Sequence, residues 1–295
     1  MTGATGFVGR RLGHALHARG DRVLAVSRSP REAQALSFVS KACTWEQLGE
    51  LGDVDAVVHL AGETVAQRWT SQARQKIFES RIGGAQKLGT ELSRSGGRKV
   101  FLSASAVGFY GDRGDELLGE SSAAGQGFLA DVCQAWERIA REAAGTMGAE
   151  RVVIFRFGMV LGEQGGALAK MLPAFRLGLG GRLGNGRQWL SWIHIDDLVR
   201  ALLFALDTVG ASGVYNAVAP APVTNREFTR ALGRALHRPA VLPVPAFALK
   251  LALGEMAEML LGSQRVEPGR LIAEGFSFRY PRIIEALEAS LHGGP

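Results

Sequence analysis

The sequence predicts an α/β protein of the Rossmann type: a doubly wound parallel sheet covered by helices, followed by a small helical C-terminal lobe. Two observations carry this. Gly3, Gly6 and Gly9 stand at the spacing GxxGxxG at the head of a helical pattern. From there to Phe157, short apolar runs alternate with helix-length segments, the signature of crossover-connected parallel strands. At 295 residues the chain accommodates one large domain with an appendage.

Taken in order, Arg10 to Arg19 repeats apolar and small residues at helical spacing, Gly20 and Asp21 punctuate, and Arg22 to Ser27 reads as a buried strand. A polar stretch with Pro30 follows, then a short helix at Trp45 to Leu51 and a second apolar strand at Asp55 to Leu60. Ser71 to Ser95 predicts a long helix, Lys99 to Ser103 a strand, Phe128 to Met147 a helix and Arg151 to Phe157 a strand. After Gly158 the glycines multiply. Residues 160–195 read as a glycine-rich substrate lobe, a mobile cover holding a helix near Ala167 to Leu177 and two tryptophans, Trp189 and Trp192. Asp196 is placed as the N-cap of a helix over Leu198 to Leu206, Gly213 to Val218 as a strand and Asn225 to Leu236 as a helix. The Pro-rich bridge from Val241 to Pro245 then leads to helices at Ala246 to Leu261 and Ile283 to Leu291. The expected domains are residues 1–222, dinucleotide-binding, and 239–291, a helical appendage.

Composition narrows the function. With 46% hydrophobic and 21% charged residues the chain is globular, and its net charge of +6 is scattered, without the basic helix or module of a nucleic-acid binder. Cys43 and Cys133 stand far apart without metal-ligand spacing, as suits a reduced, cytoplasmic setting, and no metal is expected. No apolar run is long enough to span a membrane. The expected partner is therefore a small-molecule substrate, with neither nucleic acid nor membrane, and the sequence sets no oligomeric state.

The candidate chemistry begins at the first turn. Gly3, Gly6, Phe7, Val8 and Gly9 form a cradle in which glycines admit a tight turn and close backbone approach, while helix-start N–H groups favour a pyrophosphate. Such a cradle hangs from a buried central strand in the order 3-2-1-4-5-6, so about five to seven further apolar residues are expected ahead of Met1 in the natural protein, the first strand being truncated. The next strand ends in Ser27 and Arg28, with no acid before Glu32. A hydroxyl and a guanidinium suit a 2′-phosphate better than a ribose diol, which favours NADP(H) over NAD. Leu60, Ala61 and Gly62 offer small residues and bare backbone beside the cofactor, and Arg81 and, more weakly, Lys76 are candidates for its pyrophosphate or ribose.

The segments Thr2 to Gly9, Leu60 to Gly62, Ser103 to Gly111 and Trp192 to Leu198 together resemble the extended short-chain dehydrogenase/reductases, the NAD(P)-dependent epimerase and dehydratase group. Ser27-Arg28, Arg68-Trp69, Ser80-Arg81, Phe128 to Glu137, Phe175 to Gly181 and Gly275 to Pro281 resemble its atypical "epimerase family protein" branch, whose C-terminal domain has no assigned function. The resemblance implies an NADP-binding Rossmann domain in which Ser27, Arg28, Leu60, Ala61 and Arg81 match cofactor-contact positions and Met159 faces the cofactor.

One departure decides the chemistry. Ordinary members pair a Tyr with a Lys four residues on, so that a phenolate exchanges a proton while hydride moves to or from the nicotinamide. Here Tyr110, Tyr215 and Tyr280 are followed at that spacing by Gly114, Ala219 and Ile284, and alignment of the helix puts Leu129 and Cys133 where Tyr and Lys belong. What remains near the expected site is Ser103, the candidate catalytic pair Ser105 and Tyr110, and Glu63 as a relocated base; His194 with Asp196 is a weaker candidate dyad, and His59 reads as a core histidine. Two functions stay open: an NADP(H)-dependent epimerase-family oxidoreductase acting on a small polar substrate, and a noncatalytic NADP(H)-binding sensor or docking protein.

Overall fold

A computed structural model describes residues 1–93 and 99–292. From the glycine turn the chain enters α1 (Phe7–Ala18), β1 (Val23–Val26), α2 (Pro30–Gln34) and β2 (Val39–Cys43). Then come β3 (Ala56–His59), α3 (Ser71–Leu92), β4 (Lys99–Ala106), the two-residue β5 (Leu117–Leu118), α4 (Phe128–Thr146) and β6 (Ala149–Phe157). The predicted end of α3 at Ser95 lies outside the described residues. Beyond β6 stand β7 (Met159–Leu161), α5 (Gly166–Arg176), β8 (Trp189–Leu190), β9 (Trp192–His194), α6 (Ile195–Asp207) and β10 (Gly213–Ala217). The chain finishes with β11 (Val223–Thr224), α7 (Asn225–Ala235), α8 (Ala246–Leu253), α9 (Ala257–Leu261), β12 (Arg265–Val266), α10 (Gly269–Ala273) and α11 (Ile283–His292).

The sheet is parallel throughout. β2 pairs with β1, while β3, β4, β6 and β10 form the other half. Between the halves Thr2 bridges to Val26 on one side and His59 on the other. The spatial order is thus β2, β1, Thr2, β3, β4, β6, β10: the expected doubly wound order, with Met1–Thr2 in the first strand's place and β10 added at an edge.

Both faces are covered. On one, α1 brings Leu12 and Leu16 and α6 brings Leu198 and Leu202 against Val153 and Phe155 of the sheet. On the other, Leu88 and Leu92 of α3 and Ile139 and Ala143 of α4 close over Phe101 and Ile154. A Cβ on Gly89 would lie 2.9 Å from the Cα of Ala143, so glycine sets how closely α3 and α4 cross.

Several local expectations change. α2 and β2 emerge from the stretch read as polar loop, because β2 is a sheet edge with Ser40 and Lys41 exposed and only its ends buried. The segment beyond residue 239 is not a free appendage: β12 pairs with β5, and Tyr280 and Leu287 share a core with Leu161, Trp192 and Phe228. The N-cap of α6 is His194, whose Nδ1 accepts from the N–H of Asp196 at 3.2 Å. Within residues 160–195 three glycines are close-packing positions: Gly162 and Gly165 lie on the Phe7 ring, and a Cβ on Gly181 would fall 1.4 Å from the carbonyl oxygen of Leu242. Among the described residues, no helix is long and apolar enough to cross a membrane and no group of acidic, His or Cys side chains is arranged for a metal.

Candidate active site

The carboxyl ends of β1, β3, β4 and β6 and the start of α1 meet at one rim of the sheet, the rim where open α/β sheets bind ligands. The glycine turn is set by contact. Gly3 has φ +72° and lies so near β3 that a Cβ would approach the Leu60 carbonyl carbon to 2.9 Å, while one on Gly9 would come within 2.0 Å of the Gly3 oxygen. Gly6 is the N-cap of α1 and brings no side chain to its N–H groups, which leaves the first turn open to an anion. Phe7 faces the glycines of the β7–α5 connection, and Val8 and Gly9 complete the first turn.

Thr2, to which the sequence assigns no role of its own, ties this turn to the neighbouring strand. Its Oγ1 accepts the N–H groups of Leu60 at 3.2 Å and Ala61 at 3.1 Å, so its own proton goes to Nδ1 of His59 at 2.8 Å. That assigns the remaining ring proton of His59 to Nε2, 3.4 Å from the Arg81 carbonyl. Burial lowers the His59 pKa to about 4, and the ring is neutral at pH 7. The reading of His59 as a satisfied core residue agrees with this geometry.

Arg81 lies where the turn, β3, α3 and α4 converge. Its Nη1 donates to the carbonyls of Glu63 at 3.0 Å and Ile77 at 2.9 Å, and the guanidinium rests 5.0 Å from the Trp136 ring. A Cβ on Gly62 would come within 3.1–3.3 Å of that guanidinium, so glycine is what admits it. Burial pulls the Arg81 pKa down. Among the described residues, Nε and Nη2 have no hydrogen-bond acceptor. Glu63 is held by its backbone: its N–H donates to Ser80 Oγ at 2.9 Å and its carbonyl accepts from Arg81 at 3.0 Å.

Ser27 and the exposed Arg28 follow β1 at the same rim. Met159 opens β7, half-buried, directly after the turn that ends β6. Lys76 stands apart, exposed on α3 and about 140° around the helix axis from Arg81. Ser103 is wholly buried within β4, its hydroxyl on the Ala104 carbonyl at 3.2 Å.

The two candidate catalytic side chains belong to a closed polar network. Ser105 donates to Oε1 of Glu137 at 3.0 Å, and both carboxylate oxygens of Glu137 hold the Arg156 guanidinium, at 2.7 and 3.0 Å. Arg156 Nη1 donates to the Tyr110 hydroxyl at 2.9 Å, which lies 2.8 Å from the Asn216 side-chain oxygen it donates to. Tyr110 has no exposed surface, and burial raises its pKa, the opposite of what a base requires. The Ser105 proton likewise points at Glu137. The signal for this network was Arg156, a charge inside the apolar run Val152 to Phe157, since buried charges are paired; Glu137 gave none, because α4 also carries Asp131, Arg138, Arg141 and Glu142.

At the vacated Tyr/Lys positions, Leu129 and Cys133 pack against the turn at Gly108, at 3.3 and 3.8 Å from the place of its missing Cβ. Burial, reinforced by Glu137, pushes the Cys133 thiol up to about 11, which makes it neither nucleophile nor base at neutral pH. His194 Nδ1 and the Asp196 carboxylate stand 3.9 Å apart, beyond hydrogen-bond distance, with that nitrogen accepting the Asp196 N–H instead. His194 caps α6 and stacks on Tyr280 at 4.1 Å, while Asp196 pairs with Arg11 at 2.7 Å. Trp189 and Trp192 are anchors, donating to Asp115 and to the Ala221 carbonyl at 2.7 and 3.0 Å.

Comparison with known proteins places this geometry among relatives. Residues 1–217 match the model of the NAD dependent epimerase/dehydratase family, and residues 244–290 match a domain of unknown function, DUF1731. The chain is 44% identical over 292 residues to the epimerase family protein ML0860 of Mycobacterium leprae, covering 97% of this chain and 93% of that protein. It is 39% identical to the chloroplastic SDR39U1 homologue of Arabidopsis thaliana, covering 98% of this chain and 85% of the homologue. Among solved structures, the human epimerase family protein SDR39U1 with NADPH superposes at a TM-score of 0.89 with 35% identity, covering 98% of this chain and 97% of that one.

Proposed function

The chain belongs to the NAD dependent epimerase/dehydratase family, and from that premise we propose that it is an NADP(H)-binding oxidoreductase of a small polar substrate that works without the usual Tyr/Lys pair. The observation that carries the cofactor half is the cradle: a helix start free of side-chain caps, glycines at contact distance, and Arg81 with unused donors beside it. The residues fit a dinucleotide. N–H groups at Phe7, Val8 and Gly9 would receive the pyrophosphate, Ser27 and Arg28 the 2′-phosphate, and Leu60, Ala61 and Gly62 would flank the cofactor, with Ser103 and Met159 toward the nicotinamide. Bound NADPH supplies a hydride donor. The solved structure of human SDR39U1 with NADPH supports this choice of nucleotide.

For proton transfer this chain's residues do something other than the family's usual chemistry. Ser105 and Tyr110 stabilise the Glu137–Arg156 pair, which braces β4 and β6 under the site. The proton accompanying hydride transfer then comes from water or from the substrate's own groups. The same network favours a second reading, a noncatalytic NADP(H) sensor, because it ties up both candidate acid/base groups. Nicotinamide absorbance, followed across a panel of carbonyl compounds and nucleotide sugars, separates the two. Turnover that survives Tyr110→Phe supports the oxidoreductase; tight NADPH binding with no turnover on any substrate supports the sensor; absence of NADP(H) binding overturns both.

A further inference from the structure

Residues 164–195 carry Lys170, Arg176, Arg182 and Arg187, residues 228–254 carry Arg230, Arg234, Arg238 and Lys250, and neither stretch holds an Asp or Glu. The acids that bound them are engaged: Glu163 with Arg176, Glu227 in the cap of α7 and Glu255 with Arg74. The fold lays the two stretches side by side. The N–H of Leu242 donates to the Gly180 carbonyl at 3.3 Å, that of Val244 to the Arg182 carbonyl at 2.9 Å, and that of Gly184 to the Val244 carbonyl at 2.9 Å. Arg238 reaches the Arg176 carbonyl at 3.1 Å. On these same stretches stand six of the ten large apolar side chains exposed among the described residues: Leu177, Leu179, Val241, Leu242, Phe247 and Leu251. α8, Ala-Phe-Ala-Leu-Lys-Leu-Ala-Leu, is apolar on every side except at Lys250, yet only its Leu249 is buried. Phe247 and Leu251, one turn apart, are 74% and 80% exposed. Helices apolar all round are ordinarily enclosed, so the outer face of α8 lacks its cover.

We propose that this face binds an anionic phospholipid surface, with α8 lying at the acyl boundary and the cations among the headgroups. Charge selects the occupant. A second copy would set like charges against each other across a twofold axis, whereas an anionic layer complements them. Shape favours lipid over an acidic protein: Phe247 and Leu251 project from the helix rather than line a cleft, and a fluid layer takes up projecting side chains without a matching pocket. The backbone of α8 is hydrogen-bonded within the helix and can enter an apolar medium, while Lys250 keeps its ammonium at the headgroups on its flexible stem. At eight residues α8 lies on a bilayer and does not cross one, which is why spanning runs in the sequence leave this face unmarked. This assignment is independent of what binds at the cofactor rim.

Flotation of the full chain with vesicles of phosphatidylcholine alone, and of phosphatidylcholine mixed with phosphatidylglycerol, tests it. The protein is expected to float with the mixed vesicles, to be released by high salt, and to leave the neutral vesicles unbound. Phe247→Ser with Leu251→Ser, and separately Arg238→Glu with Lys250→Glu, are each expected to weaken partition onto the mixed vesicles by about tenfold or more. All four side chains are exposed, so an unchanged Tm shows that either double variant is folded. Absence of binding to the mixed vesicles overturns the proposal, as does equal binding to neutral ones or binding that survives both double variants. A dimer of the unaltered chain that Phe247→Ser with Leu251→Ser dissociates would also overturn it, by assigning the face to a second copy.

Discussion

At the scale of residues, three side chains, Thr2, His59 and Arg81, hold the rim together, and of these the sequence offers only Arg81 as a candidate site residue. Thr2 sends its proton to His59, and His59 turns its second ring nitrogen to Arg81, so the turn, β3 and α3 are fixed to one another through a neutral imidazole. That neutrality has a pH signature. With a folded pKa of about 4 against an ordinary 6.5, the unfolded chain binds a proton between those values that the folded chain refuses. Stability therefore falls as pH drops through that window, by about 3 kcal/mol from this group when it is complete. Urea titrations at several pH values should show this slope, and His59→Gln, which stays neutral and keeps hydrogen-bonding groups, should flatten it. An unchanged slope in the variant would separate His59 from the acid sensitivity. Thr2 was invisible in the sequence because a hydroxyl before a glycine turn carries no pattern of its own; its role exists only once β3 lies alongside.

At the scale of elements, α6 is the piece that fastens the C-terminal segment. Asp197 in its first turn is fully buried, and its two oxygens accept the backbone N–H groups of Arg279 and Tyr280, each at 2.8 Å. Asp197→Ala leaves both amides without their acceptor and is expected to cost about 2–4 kcal/mol in denaturant unfolding. Asp197→Asn, which keeps one acceptor, should cost less. Equal and negligible costs would mean that residues 279–280 are held by packing alone. Long periodic elements such as α3, α4 and β6 were legible because their buried faces repeat at fixed spacing. β2 was not, since an edge strand with exposed Ser40 and Lys41 resembles loop until β1 lies beside it. β5 and β12, two residues each, lacked the length for any pattern, and their pairing is a second tie between the C-terminal lobe and the rest. The motif from Trp192 to Leu198 was legible as important but not as what it is, because a helix cap and a backbone clamp use the same His and Asp residues that a catalytic dyad would.

At the scale of the whole molecule, the chain combines a rim whose residues fit a dinucleotide with packing and ion pairing around Leu129, Cys133, Ser105 and Tyr110. The rim was readable from Gly3, Gly6, Gly9, Ser27 and Arg28 because backbone approach and phosphate charge restrict residue type. The converted site was readable only as an absence, Leu129 and Cys133 in place of Tyr and Lys, and the structure adds that Ser105 and Tyr110 are committed to Glu137 and Arg156. The central claim is therefore recognition of NADP(H) at that rim, with Arg28 reading the 2′-phosphate. Calorimetric titration of the protein and of Arg28→Ala with NADPH and NADH tests it most directly. The account predicts that NADPH binds the unaltered protein at least tenfold more tightly than NADH. It further predicts that Arg28→Ala weakens NADPH by about tenfold, the worth of one charge-assisted contact of about 1.5 kcal/mol, while NADH is unchanged. Equal affinity for the two nucleotides, or an unaltered NADPH affinity in Arg28→Ala, would contradict it.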